Sequence, residues 1–195
     1  LFHLAWSAGR AEVHAARRIA LVVDRRLIVD AAAERADRIA AALAAADEDT
    51  ALGRWASALR SLGGECPLRV IRLRGGLPQE TSPLRDPVTP TVLLSTVDQI
   101  GSRLLFRGYG VSGRMQPISA GLLGLDTLIL LDEAHIAQPL QQTLDGIVRE
   151  QARASGRPGL PAPMRWTQLT ATPGKVADFQ LDDDDRADPT LARRL

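Results

Sequence analysis

Four consecutive aliphatic residues, Leu128-Ile129-Leu130-Leu131, run directly into the polar sequence Asp132-Glu133-Ala134-His135. An apolar run without polar alternation is typical of a central parallel strand that is covered on both faces. In open α/β sheets, ligands bind outside the carboxyl ends of such strands. The pattern therefore predicts a buried strand whose end presents two carboxylates and an imidazole to a ligand.

Strand-like and helix-like segments alternate along the rest of the chain. The other predicted strands are Ile19–Val23, Leu68–Leu73, Thr91–Leu94 and Arg165–Leu169. The predicted helices are Leu27–Ala46, Thr50–Leu62, Ile100–Leu105, a short turn at Ser119–Leu123, and Pro139–Arg153. This alternation predicts an α/β fold with a doubly wound, mostly parallel sheet. The strand ends then lie along one edge of the sheet, which predicts a single composite site there.

The composition fits one globular domain and no membrane span. The 195 residues are 45% hydrophobic and 24% charged, which is ordinary for a soluble protein. No apolar run approaches the ~20 residues needed to cross a bilayer, and the first residues do not read as a signal sequence. We therefore expect a cytoplasmic protein. The lone Cys66 and three scattered histidines predict neither a disulfide nor a structural zinc site.

The acids after the central strand suit ATP hydrolysis. Asp132 would hold Mg²⁺ through its water shell, and Glu133 would polarise the water that attacks the γ-phosphate. His135 would sense the nucleotide state by bonding toward the turn Thr170-Ala171-Thr172. Acids that merely complement a helix dipole are an equally good interpretation of Asp132 and Glu133 taken alone. For His135 alone, a structural histidine is the better interpretation.

The pairing of Asp-Glu-Ala-His with a later Thr-Ala-Thr resembles the superfamily 2 helicases of the DEAH type, with residues 132–135 as motif II and 170–172 as motif III. The stretch Ser95–Thr143 is similar to the CRISPR-associated helicase-nuclease of type I interference systems, most of all to its subtype G (formerly U) form. The stretches Val22–Arg26 and Leu73–Gly76 resemble motifs Ia and Ib of that family. The similarity covers about residues 1–174, and residues 175–195 read as a linker or tail.

The resemblance implies most of a RecA-like domain that uses ATP and Mg²⁺ to move on single-stranded DNA. It also implies a partner, the type I CRISPR surveillance complex, and a role in prokaryotic antiviral defence. The residues that it places along the DNA track, including motif Ic, are Arg25, Arg26, Arg74, Gly75, Gly76, Thr96 and Gln99. Arginine side chains and glycine N–H groups bind phosphates without reading sequence. Taken alone, the arginines would be a solvated helix start and the glycines a plain turn.

The chain departs from the family at the phosphate loop. No Gly-x-x-x-x-Gly-Lys-Ser/Thr occurs, and Gly174-Lys175 stands in the wrong context. We expect that loop and its strand to precede Leu1, and the apolar opening Leu1–Trp6 to be the back half of a helix with exposed apolar surface. The second RecA-like domain and the HD nuclease domain are also missing from the sequence. The chain alone is therefore expected to be inactive.

Two alternatives remain open at this stage. Another superfamily 2 helicase, acting on RNA or in DNA repair, would carry the same two motifs. A non-catalytic interaction module would keep the helicase fold after losing its phosphate loop. The stretch Ser95–Gly110 argues against the first alternative, and the retention of Asp132, Glu133 and His135 argues against the second.

Overall fold

A computed structural model describes residues 1–10, 12–75, 86–133, 137–154 and 162–169, together with the single positions 183, 187 and 188. Five strands form one sheet in the order β2-β3-β1-β4-β5, and every neighbouring pair is parallel. The strands are β1 (Arg18–Val23), β2 (Arg69–Leu73), β3 (Thr91–Thr96), β4 (Thr127–Asp132) and β5 (Arg165–Leu169). The predicted parallel α/β sheet is confirmed, with β1 rather than β4 at its centre.

Helices cover both faces of this sheet. They are α1 (Phe2–Ser7), α2 (Arg26–Ala44), α3 (Ala51–Ser61), α4 (Val97–Leu104), α5 (Gln116–Gly124) and α6 (Gln138–Ala154). Successive residues of β1 are buried on opposite faces of the sheet. Val22 belongs to one core cluster with α4 and α6, and Val23 belongs to another with α2. The arrangement is doubly wound, as predicted, and is consistent with a RecA-like domain.

The opening helix α1 packs on α3 rather than on the sheet centre. Leu4 is buried at 2% exposure beside Leu59 of α3, whereas Phe2 and Trp6 are 60% and 45% exposed. The ring of Phe2 meets that of Trp55 edge to face, with centroids 5.0 Å apart. This opening segment thus leaves aromatic surface open to solvent.

An arginine clamps the amino edge of the sheet, opposite the predicted site. Arg18 donates through Nη1 to the carbonyl of Pro87 and through Nη2 to that of Leu125, each at 2.8 Å. Its Nε donates to Thr127 Oγ1 at 3.3 Å. Burial lowers the pKa of the Arg18 guanidinium, and the nearby Asp126 carboxylate opposes that shift. Because its donors are bound to protein, Arg18 is a structural cation rather than a ligand-binding one.

None of the described helices is both long and apolar enough to cross a membrane. The predicted tail, residues 175–195, lies outside the described residues except for three isolated positions.

Candidate functional site

The registers of the parallel strands bring four of their ends to one level of the carboxyl edge. Val23, Thr96 and Asp132 stand side by side on β1, β3 and β4, and Arg74 follows β2 at the same level. At the ~4.8 Å spacing of neighbouring strands, Asp132 lies about 10 Å from Thr96 and about 14 Å from Arg74. The predicted hydrolysis and binding residues therefore share one edge without touching each other.

The two acids occupy a strained turn at the end of β4. Asp132 is half-buried, and its Oδ1 accepts the backbone N–H of Glu133 at 3.1 Å. Glu133 is exposed and has a φ of 49°, in the left-handed region that residues other than glycine seldom adopt. Such a conformation costs about 1–3 kcal/mol and is concentrated at functional sites. Because this conformation costs free energy of folding, it indicates that Glu133 has a function other than stabilising the fold.

The donor set of this turn fits a hydrated magnesium ion. Mg²⁺ keeps several waters and takes one or two carboxylates together with substrate phosphates. Asp132 would hold the ion through water, and Glu133 would stand beside it. Within the described residues, no three His, Cys, Asp or Glu side chains converge as a metal cage. The phosphates of a nucleotide would therefore have to complete the coordination shell.

Four predicted site residues lie outside the described residues: Gly76, His135, Thr170 and Thr172. The strand that leads toward the Thr170 turn is nevertheless in place. Leu169, the last residue of β5, is paired in register with Asp132. The sheet topology thus places the strand that ends at Asp132 beside the strand that ends at Leu169.

A cluster of arginines forms at the end of β2 and the start of α2. Arg25 and Arg26 are exposed where α2 begins. The Arg26 guanidinium reaches over Gly75, since a Cβ on that glycine would lie 3.2 Å from Arg26 Nη2. Arg74 is half-buried, and its Nε donates to the Asp30 carboxylate at 2.7 Å. The structure therefore brings together four of the predicted binding residues, which we call the edge cluster (Arg25, Arg26, Arg74 and Gly75).

Asp30 is a functional candidate that sequence reasoning missed. It lies four residues after Arg26, one turn into α2, and its carboxylate meets Arg74 from a distant part of the chain. An acid at this position neutralises one cation of the edge cluster. The four-residue spacing between Arg26 and Asp30 is visible in the sequence, whereas the pairing of Asp30 with Arg74 can be seen only in the folded structure.

The remaining two predicted binding residues are less accessible. Thr96 and Gln99 are only 7% and 9% exposed. The Gln99 side chain accepts a hydrogen bond from Arg103 Nη1 at 2.6 Å, and its backbone carbonyl accepts another from the same atom at 3.0 Å. Burial lowers the pKa of the Arg103 guanidinium. Gln99 is thus engaged in holding a buried cation, and its carboxamide oxygen is not presented to a ligand.

Electrostatics along the edge therefore change from acidic to basic. The acids stand after β4, Arg25 and Arg26 follow the neighbouring strand β1, and Arg74 and Gly75 follow β2, beyond β3. Comparison with protein-family models matched no family, and a search of curated proteins found no significantly similar sequence.

Proposed function

We propose that this chain carries part of the motor of an ATP-dependent superfamily 2 DNA helicase or translocase. The observation that carries the proposal is the pair Asp132 and Glu133, held in a strained turn at the carboxyl edge beside the edge cluster. A carboxylate pair at that place suits nucleotide hydrolysis, and a row of arginines at the same edge suits a phosphate backbone.

Each acid has its own part in the proposed reaction. Mg²⁺, when bound with a nucleotide, would offset the negative charge that develops on the phosphates. Asp132 would orient that ion's water shell, and the backbone N–H of Glu133 fixes one carboxylate oxygen for this task. Glu133 would align the attacking water and accept its proton. The sequence holds no Gly-x-x-x-x-Gly-Lys-Ser/Thr, so a phosphate loop would have to come from another segment.

The biological setting is proposed from the resemblance of Ser95–Thr143 to the type I CRISPR helicase-nuclease. In that setting the motor would move along single-stranded DNA exposed by a surveillance complex, in the cytoplasm of a prokaryote. The edge cluster would hold the strand through its phosphates, without reading bases. No structural zinc has a part in this proposal.

The test is a comparison of Glu133→Gln with a matched substitution. ATP hydrolysis stimulated by single-stranded DNA is measured in a protein that joins this chain to a phosphate loop. Loss of a general base lowers turnover about 10²- to 10⁴-fold, so Glu133→Gln should fall by that factor. Glu34→Gln changes an exposed glutamate on α2 and should leave turnover as it was.

Binding of DNA should survive in Glu133→Gln, because the edge cluster is unchanged. The 195-residue chain alone should hydrolyse ATP no faster than its own Glu133→Gln variant. Full turnover by Glu133→Gln in the joined protein would rule out hydrolysis at this turn. A non-catalytic interaction module would then be the better interpretation.

A further inference from the structure

Helix α4 ends in a motif that puts a phenylalanine where glycine is the usual residue. The N–H of Phe106 donates to the carbonyl of Arg103 at 3.1 Å, and that of Arg107 donates to the carbonyl of Ser102 at 2.7 Å. These two bonds define a Schellman cap, whose left-handed position normally takes glycine because a Cβ is disfavoured there. Phe106 occupies that position with a φ of 59°.

Burial does not compensate for this conformation. The Phe106 side chain is 57% exposed, so the ring gains little from the core. A bulky residue at positive φ is a true outlier, and an outlier that stability does not explain is evidence for a functional side chain. The protein holds this ring in solvent at a cost in backbone energy.

The loop that follows adds apolar surface and positive charge around the ring. Leu105 and Tyr109 are 54% and 65% exposed. The sequence from Gln99 to Leu125 contains no acid, while Arg107 and Arg114 are exposed in the loop. Glu150 of α6 lines a groove with Leu105, but its carboxylate pairs with Arg153 at 2.5 Å. The surface of the loop itself is thus aromatic and cationic.

We propose that this stacking loop (residues 105–114) is a second contact for single-stranded nucleic acid, with bases stacked on Phe106 and Tyr109 and phosphates bound by Arg107 and Arg114. Aromatic rings interleaved with cations are the usual means of holding a single strand without reading its sequence. The excess positive charge favours a polyanion over an apolar protein surface as the occupant. The inference rests on the proposed function for the class of ligand, but it does not require ATP hydrolysis.

The stacking loop lies at the end of α4 that is remote from the carboxyl edge. Helix α4 starts directly after Thr96 at the carboxyl edge and ends at the loop. At 1.5 Å per residue, Phe106 lies about 10 Å along the helix axis from Gln99. Because α4 runs back from the carboxyl edge on the face of the sheet opposite α2, a strand bound at the edge cluster would have to pass over the end of β3 to reach the stacking loop. The edge cluster supplies phosphate contacts, and the loop supplies the aromatic stacking that the edge lacks.

The test is Phe106→Gly, which removes the ring and relieves the backbone. Fluorescence anisotropy of the 195-residue chain is measured with a labelled oligodeoxythymidine and with an abasic strand of equal length. Loss of one stacked base should weaken binding of oligodeoxythymidine about 5- to 150-fold and leave binding of the abasic strand unchanged. The thermal midpoint of Phe106→Gly should stay level or rise, which separates lost stacking from lost folding.

Two further variants make the result decisive. Tyr109→Leu should also weaken binding of oligodeoxythymidine alone, and Phe2→Ala, an exposed ring on α1, should change neither ligand. Oligodeoxythymidine binding by Phe106→Gly at the wild-type level overturns the inference, and the proposed function stands if Arg26→Gln still weakens both strands. An equal loss on both strands also overturns stacking. If the wild-type chain binds neither strand, both proposals fail and the loop is better seen as a protein contact.

Discussion

Asp30→Asn should strengthen the binding of single-stranded DNA. Asp30 holds the Arg74 guanidinium through a 2.7 Å contact, and the two side chains are 36% and 25% exposed. Asparagine keeps the shape and one hydrogen-bond acceptor but removes the charge. The positive charge of Arg74 is then no longer offset by a neighbouring carboxylate and is available to a phosphate. The fold should persist, because asparagine retains one hydrogen-bond acceptor for Arg74 and ion pairs near the surface contribute only about 0–1 kcal/mol.

The magnitude follows from counterion release. Each phosphate contact on a single strand adds about −0.7 to the slope of log K against log of the salt concentration. At roughly 0.1 M monovalent salt, one additional contact is worth about 0.7 log units, a gain near fivefold, or about 1 kcal/mol. Asp30→Asn should therefore both raise the affinity for DNA and make its dependence on salt concentration steeper.

The assay is a DNA titration of the chain at salt concentrations of about 50 to 200 mM. Asp37→Asn is the matched control, because Asp37 lies two turns further along α2 and pairs with Arg72 below the edge. That variant should keep the wild-type slope. Asp30→Asn with an unchanged slope, or with weaker binding, would refute the idea that Asp30 competes with DNA for Arg74. Weaker binding would identify Asp30 as a residue that positions the guanidinium.

Two further predictions concern stability. Gly64 has a φ of +105°, and a Cβ there would lie 2.0 Å from Thr89 Oγ1, so Gly64→Ala should lose about 1–3 kcal/mol in urea unfolding. Gly113→Ala, which meets open space, is the control, and equal losses would contradict the steric argument. The hydrogen bond from Thr89, together with the charge of Arg69, lowers the pKa of Asp86. The stability from this carboxylate is complete above its ordinary pKa and is lost as the pH falls through the lowered one. In Asp86→Asn, the urea concentration at half-unfolding should therefore fall less steeply as the pH drops below about 4. A pH profile identical to that of the wild type would exclude this linkage.

Most of the fold could be predicted from apolar patterning. The run Leu128–Leu131 gave the strand β4, and Arg165–Leu169 gave β5 with the same bounds. Helix starts were harder. Helix α4 begins at Val97, directly after the strand, because Thr96 turns from an extended conformation into the helix without an intervening loop. A β-branched residue at that position reads as the continuation of a strand, so the sequence predicted the helix only from Ile100.

The candidate site was predictable where a topological rule applies and unpredictable where distant side chains meet. Strand ends predicted that Asp132 and Arg74 share one edge, and the registers place them there. The hydrogen bond from Arg74 to Asp30 joins residues 44 positions apart, so no local sequence pattern could predict it. The bond from Arg103 to Gln99 spans only four positions, so helical spacing could have indicated it. The left-handed backbone of Phe106 had no sequence signal, because glycine is the residue that normally marks such a cap.

Helix α4 is the element that would couple the two proposed contacts. Ile100 and Leu104 anchor it in the main core at 0% and 5% exposure, and the Gln99 to Arg103 bond ties its first turn to its last. A packed core has discrete arrangements and does not bend gradually. If both contacts bind one strand, α4 sets the distance between the stacking loop and the end of β3, where Arg74 is level with Thr96.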